Sequence, residues 1–159
     1  MFFCKQRRYI PESFNDDVLI PKRKTNNKID GFTASFEKYL KEHKVSADHK
    51  ANVDEVRNSF TYSFATLALS NNSPIQLINV VNTIKNRYGK KYLTNEAIGF
   101  LDCMSAKAYG YLSLLSKNMD NQSKYRKLAM SMFEKAYSSG YVPAISEMMD
   151  FKSKWSSEP

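Results

Sequence analysis

Two histidines, two cysteines, five glycines and five prolines are all that 159 residues contain, and each shortage excludes something. Few glycines and prolines leave few turn signals, which suits a small number of helices better than many short strands. His43 and His49 lie in a charged linker with no cysteine or carboxylate at ligand spacing, so they read as a solvated pair and not as a metal site. Cys4 and Cys103 are distant in sequence and form no CxxC unit, and a reduced cytoplasmic chain is the simpler reading. Cys103, beside Met104, reads as a small core residue. Long apolar runs are missing as well, since no window approaches the roughly 18 or more residues of a membrane span. The start, "MFFCKQRRYIPESF", puts its three apolar residues before the basic cluster, the reverse of a secretory signal. There is no G-x-G-x-x-G, Walker loop or G-x-S-x-G elbow. Asp54 and Glu55 point in different directions on a helix, and Glu147 and Asp150 share a face that, without a basic or metal partner, reads as solvated. The expectation is a chain that is not an enzyme and uses no cofactor or metal.

What is present is apolar and basic. The hydrophobic fraction of 42% and aromatic fraction of 13% argue against a disordered chain. The length suits a single domain with one core. A formal net charge of +8 favours acidic partners, whether nucleic acid, anionic lipid or an acidic protein face.

Along the chain, residues 1–30 carry seven cations without sustained apolar periodicity and read as a basic N-terminal arm, extended and docked on the body or partly disordered. Residues 31–159 read as a single all-helical domain. From Gly31 one short helix uses Phe36, Tyr39 and Leu40, with Ser35 as a cap; a second uses Val53, Val56, Phe60, Phe64 and Leu67 and ends at Asn71-Asn72. Ser73-Pro74 starts a third, which buries Leu77, Ile78, Val81, Ile84 and Tyr88 and closes at Gly89. The β-branched run "IQLINVVNTI" inside it competes as a strand, but its Ser-Pro start and Gly stop favour helix. Thr94 or Asn95 caps a fourth with Ile98, Leu101, Met104, Ala108, Leu112 and Leu115 inward. A fifth runs from about Gln122 to Ser138 and stops at Gly140, and a sixth begins at Val142-Pro143 and presents Ile145, Met148, Met149 and Trp155. The fold class is therefore all-α, with about six helices in an antiparallel bundle.

The stretch "AMSMFEKAYSSGYVPA" at 129–144 carries a further pattern. Ala108 and Ala144 lie 36 residues apart, and with Leu112, Ala129, Met132, Phe133, Lys135, Ala136 and Gly140 they resemble a Sel-one-like repeat, a relative of the tetratricopeptide repeat. The resemblance covers roughly residues 106–150. Ser113 and Met149 stand where the family has glycine, Leu128 stands where it has lysine, and no earlier copy is visible. It implies a C-terminal tetratricopeptide-like helix hairpin, with alanines at close helix approaches and a groove for a partner protein. An ordinary antiparallel bundle using the same packing remains the other reading.

Candidate sites follow from these patterns. If the hairpin leaves a groove, Tyr109, Tyr111 and Ser113 are the side chains to face it. The densest positive patch gathers Lys85, Arg87, Tyr88, Lys90, Lys91 and Tyr92 at a helix C-terminus. There the helix dipole favours cations, while charge with tyrosine also suits phosphate contact and base stacking. Lys124, Arg126 and Lys127 form a second cluster where the dipole disfavours it. The expected function is a non-catalytic adaptor or regulatory protein that binds another protein, with an acidic segment as the natural partner. A small nucleic-acid-binding regulator is the alternative, and a secretion-associated effector or chaperone a further one.

Overall fold

A computed structural model describes residues 27–67 and 73–157. Among the described residues seven helices follow in order: α1 (Asn27–Glu42), α2 (Val53–Leu67), α3 (Pro74–Arg87), α4 (Gly89–Tyr92), α5 (Asn95–Leu115), α6 (Met119–Ser138) and α7 (Ala144–Ser156). No strand occurs among the described residues, so the fold is all-α, and "IQLINVVNTI" is helical. The basic arm expected over residues 1–30 lies outside the described residues except for Asn27–Asp30, which belong to α1. Ser35 consequently sits inside α1 instead of capping it. The expected stop at Asn71-Asn72 also lies outside the described residues.

Caps fix several boundaries. Ser73 accepts a hydrogen bond from the Gln76 amide at 3.4 Å, with Pro74 in the first turn of α3. Thr94, not Asn95, caps α5 through the Ala97 amide at 3.1 Å. Asn118 accepts from the Asn121 amide at 3.1 Å, which starts α6 three residues before Gln122. Gly89, at φ +51°, does close α3, but the chain then makes the single extra turn α4.

Ring pairs give the helix directions. Phe32 meets Phe64, and Phe36 meets Phe60, so α1 and α2 are antiparallel. Tyr109 meets Tyr125 while Gly99 abuts Ala136, so α6 runs back along α5. Arg126 meets Trp155 and Phe133 meets Phe151, so α7 reverses again. Hence α7 is parallel to α5. The 21-residue α5, roughly 31 Å long at about 1.5 Å per residue, joins two clusters. Its first turns pack Ala97 and Leu101 against an aromatic group of Phe32, Phe36, Phe60 and Phe64; its remainder packs Ala108, Leu112 and Leu115 against Ala129, Phe133 and Phe151.

One link lies outside the helices. Ala51, between α1 and α2, donates to the Tyr92 carbonyl at 2.8 Å and accepts from the Thr94 amide at 3.0 Å. In α7 the buried stripe differs from expectation: Met149 is 61% exposed, and Phe151, at 2%, is the side chain that enters the core. Ala144, Met148, Phe151 and Trp155 recur at spacings of three and four, and Met149 falls one position off that face.

Candidate functional site

Half of the Lys85–Tyr92 patch is committed to holding the fold. Lys85 Nζ pairs with Oδ1 of Asp102, a fully buried carboxylate whose Oδ2 has no hydrogen-bond partner among the described residues. Arg87 and the Tyr88 hydroxyl both donate to Glu37 Oε1, at 3.2 and 3.3 Å, and Lys41 reaches the other oxygen at 3.1 Å. The hydrogen bond from Lys41, followed by the charges of Lys41 and Arg87, holds the Glu37 carboxyl below its ordinary value. Burial, then the Glu37 charge, pushes Tyr88 up to about 12. Lys90 and Lys91 are exposed beside Gly89, and Lys91 Nζ lies 5.4 Å from the Tyr92 ring centroid. Only Lys90, Lys91 and Tyr92 therefore remain as an open cluster.

Tyr109, Tyr111 and Ser113 do not line an open groove: α6 encloses Tyr109, and α7 covers Tyr111 and Ser113. Tyr109 is 3% exposed and stacks on Tyr125 at 6.4 Å, and its burial pushes the phenol up to about 12. Ser113 is fully buried; its hydroxyl donates to the Gly110 carbonyl and accepts from Trp155 Nε1 at 2.9 Å. Tyr111 meets the Phe151 ring edge-on at 5.1 Å. The close approach depends on Gly110, where a Cβ would lie 2.7 Å from the Phe151 ring. A glycine there admits the aromatic ring that fills the expected groove.

The opening lies one helix further on, between α6 and α7. It is a shallow, open groove of about 410 Å³ with Met130 and Trp155 as apolar floor and Arg126, Lys127, Lys152 and Glu134 around it. The Arg126 guanidinium sits 5.6 Å from the Trp155 ring centroid, a cation–π contact that orients both groups. Lys127 and Lys152 are exposed and make no ion pair among the described residues. Nearby on α7, Lys154 Nζ lies 4.8 Å from Phe151 and 5.5 Å from Tyr111. The sequence shows the α6 cations but not their meeting with Lys152 and Trp155, which are over twenty residues away. The legible signal is the second stripe on α6, where Ser123, Arg126, Lys127, Met130, Ser131 and Glu134 recur at helical spacing opposite the buried one.

A second opening of about 610 Å³ between α1 and α3 mixes Glu37 and Glu42 with Lys38, Lys41 and Arg87. Its central charges neutralise one another, so it favours neither sign of ligand.

The remaining titratable groups are dispersed. His43 stacks on Tyr39 at 4.0 Å with Nδ1 2.9 Å from its carbonyl, and His49 Nε2 lies 3.8 Å from Glu55. Glu147 has a partner that spacing did not reveal, Lys107 on α5 at 3.2 Å. Burial pushes the Cys103 thiol up to about 12, the opposite of what a nucleophile needs. Among the described residues no three His, Cys, Asp or Glu side chains converge as a metal site, and no helix is long and apolar enough to cross a membrane. Comparison with protein-family models, curated proteins and solved structures finds no match to this chain.

Proposed function

We propose that the chain is a non-catalytic protein-interaction module, an adaptor or regulatory protein, that holds an acidic segment of another protein in the α6–α7 groove. The observation that carries this reading is the groove itself, an apolar Met130–Trp155 floor bordered by Arg126, Lys127 and Lys152, with Glu134 as its one acidic residue. An apolar centre with a charged rim is the usual anatomy of a protein-binding surface, and Trp and Arg are the residues that most often anchor one. The hairpin reading is supported by the parallel course of α5 and α7 about an antiparallel α6, and by the burial of Ala108, Leu112, Ala129, Phe133, Ala136 and Ala144. Gly140, at φ +103°, supplies the left-handed turn between α6 and α7.

The test is fluorescence anisotropy with labelled peptides of Glu/Leu, Lys/Leu and Ser/Leu composition at low and physiological salt. The acidic peptide is expected to bind and the other two not, and Lys127→Glu with Lys152→Glu is expected to weaken binding at least tenfold. Equal binding of all three peptides sinks the reading. The nucleic-acid alternative rests on the exposed Lys90, Lys91 and Tyr92 and the net charge of +8. It requires a gel shift with single-stranded DNA or RNA that fades steeply as salt rises, and no shift at low salt removes it.

A further inference from the structure

Resting on that protein-interaction reading, we infer that the occupant of the α6–α7 groove is an acidic amphipathic helix, seated as an added helix against α6 and α7. The groove follows one stripe of α6 from Ser123 to Glu134. That is twelve residues, eleven steps of about 1.5 Å, or about 16 Å at the helical rise, the length of three turns. Two adjacent antiparallel helices present a concave channel that accepts the ridge of a third.

Backbone chemistry separates a helix from an extended segment. The main-chain groups of α6 and α7 are spent within their own helices, so neither offers an edge to which a strand can add. An extended peptide over Met130 and Trp155 would leave amides and carbonyls unpaired against an apolar floor, whereas a helix satisfies its own. The rim then sets the composition: with three cations, Arg126, Lys127 and Lys152, against the one carboxylate Glu134 at its far end, it favours carboxylates opposite the cations and apolar side chains one turn apart over the floor. A second copy of this chain is a poor occupant, because its own charge is +8 and like charges would meet.

Trp155 is the sole tryptophan of the chain, so intrinsic emission reports on this groove directly. The experiment uses two peptides of identical Glu/Leu composition with one proline each. One has its Leu residues at i, i+3, i+4 and i+7 and the proline at its first position; the other is a permutation with the proline central, which cannot form the helix. The full chain is titrated with each, following Trp155 emission and far-ultraviolet ellipticity. The helical peptide is expected to shift Trp155 emission saturably, gain helicity on binding, and bind at least tenfold more tightly than the permutation. Lys127→Glu with Lys152→Glu is expected to abolish the shift while leaving the melting midpoint within a few degrees.

Comparable affinity for both peptides overturns the helical occupant while leaving an acidic groove ligand standing. Binding by neither overturns that reading as well. Binding without a Trp155 change, or unaffected by the charge reversals, places the ligand elsewhere and overturns the groove. So does a concentration-dependent dimer in sedimentation that the charge reversals dissolve, since a second copy is then the occupant.

Discussion

Neighbouring tyrosines on one helix have different duties, and the difference is only two residues. Tyr109 is enclosed between α5 and α6, while Tyr111 lies half-buried against Phe151. Replacing Tyr109 with Ala removes a ring from a filled core and is expected to cost about 3 kcal/mol or more. Tyr111→Ala, which forfeits one edge-to-face contact and partial burial, is expected to cost roughly half as much; chemical denaturation of both variants measures the gap. A Tyr109 variant that melts like the parent would mean the ring is not part of the core. At this scale the sequence was legible where the spacing of apolar residues was regular, as in α3 and α5, and misleading where tyrosine is ambiguous between core and surface. Burial of Tyr109 depends on Tyr125 and on the path of α6, neither of which the local pattern of α5 contains. The same holds for the pairing of Lys85 with Asp102 and of Lys107 with Glu147, which bring together residues 17 and 40 positions apart.

Among the elements, α7 is held against both α5 and α6, and its side toward α5 rests on a few identifiable contacts. On α5 these are Phe151 over Gly110, Trp155 bonded to Ser113, and Lys107 paired with Glu147, while Phe133 and Arg126 of α6 meet Phe151 and Trp155. Gly110→Ala pushes a methyl into the Phe151 ring, and such overpacking is expected to cost about 1–3 kcal/mol and to loosen α7. Gly140→Ala meets no atom within 4 Å, so its cost is the left-handed backbone alone, about 1 kcal/mol. Measured together by thermal melts, the first substitution should also red-shift Trp155 emission and the second should not. An unshifted spectrum in Gly110→Ala would show that α7 is held without that contact. The glycine that ends α6 was readable from the sequence because a chain reversal leaves a local mark. Gly110 was not, because its reason lies 41 residues away in Phe151.

For the whole molecule, the buried neutral groups set an alkaline limit. Tyr88, Cys103 and Tyr109 each ionise near 12 in the fold, against ordinary values of 10.0, 9.0 and 10.0. The unfolded chain therefore binds fewer protons than the folded one once the pH passes about 9. The stabilisation is fully present below that pH and is lost as the pH rises through the folded values. The denaturation midpoint is expected to fall between about pH 9 and 12, and Cys103 is expected to resist alkylation at pH 8 until the chain unfolds. A midpoint constant across that range would mean that these three groups are not shielded from solvent.

The bridge at Ala51 has a dynamic meaning. Its amide is held by Tyr92 and its carbonyl by the Thr94 amide, so two segments more than forty residues apart share one fastening. Neither amide proton can be released by fraying of a helix end alone. Hydrogen exchange at Ala51 and Thr94 should thus proceed at matched rates through a single opening event, one that separates the α1–α2 connection from the base of α5 and exposes Leu93 to water.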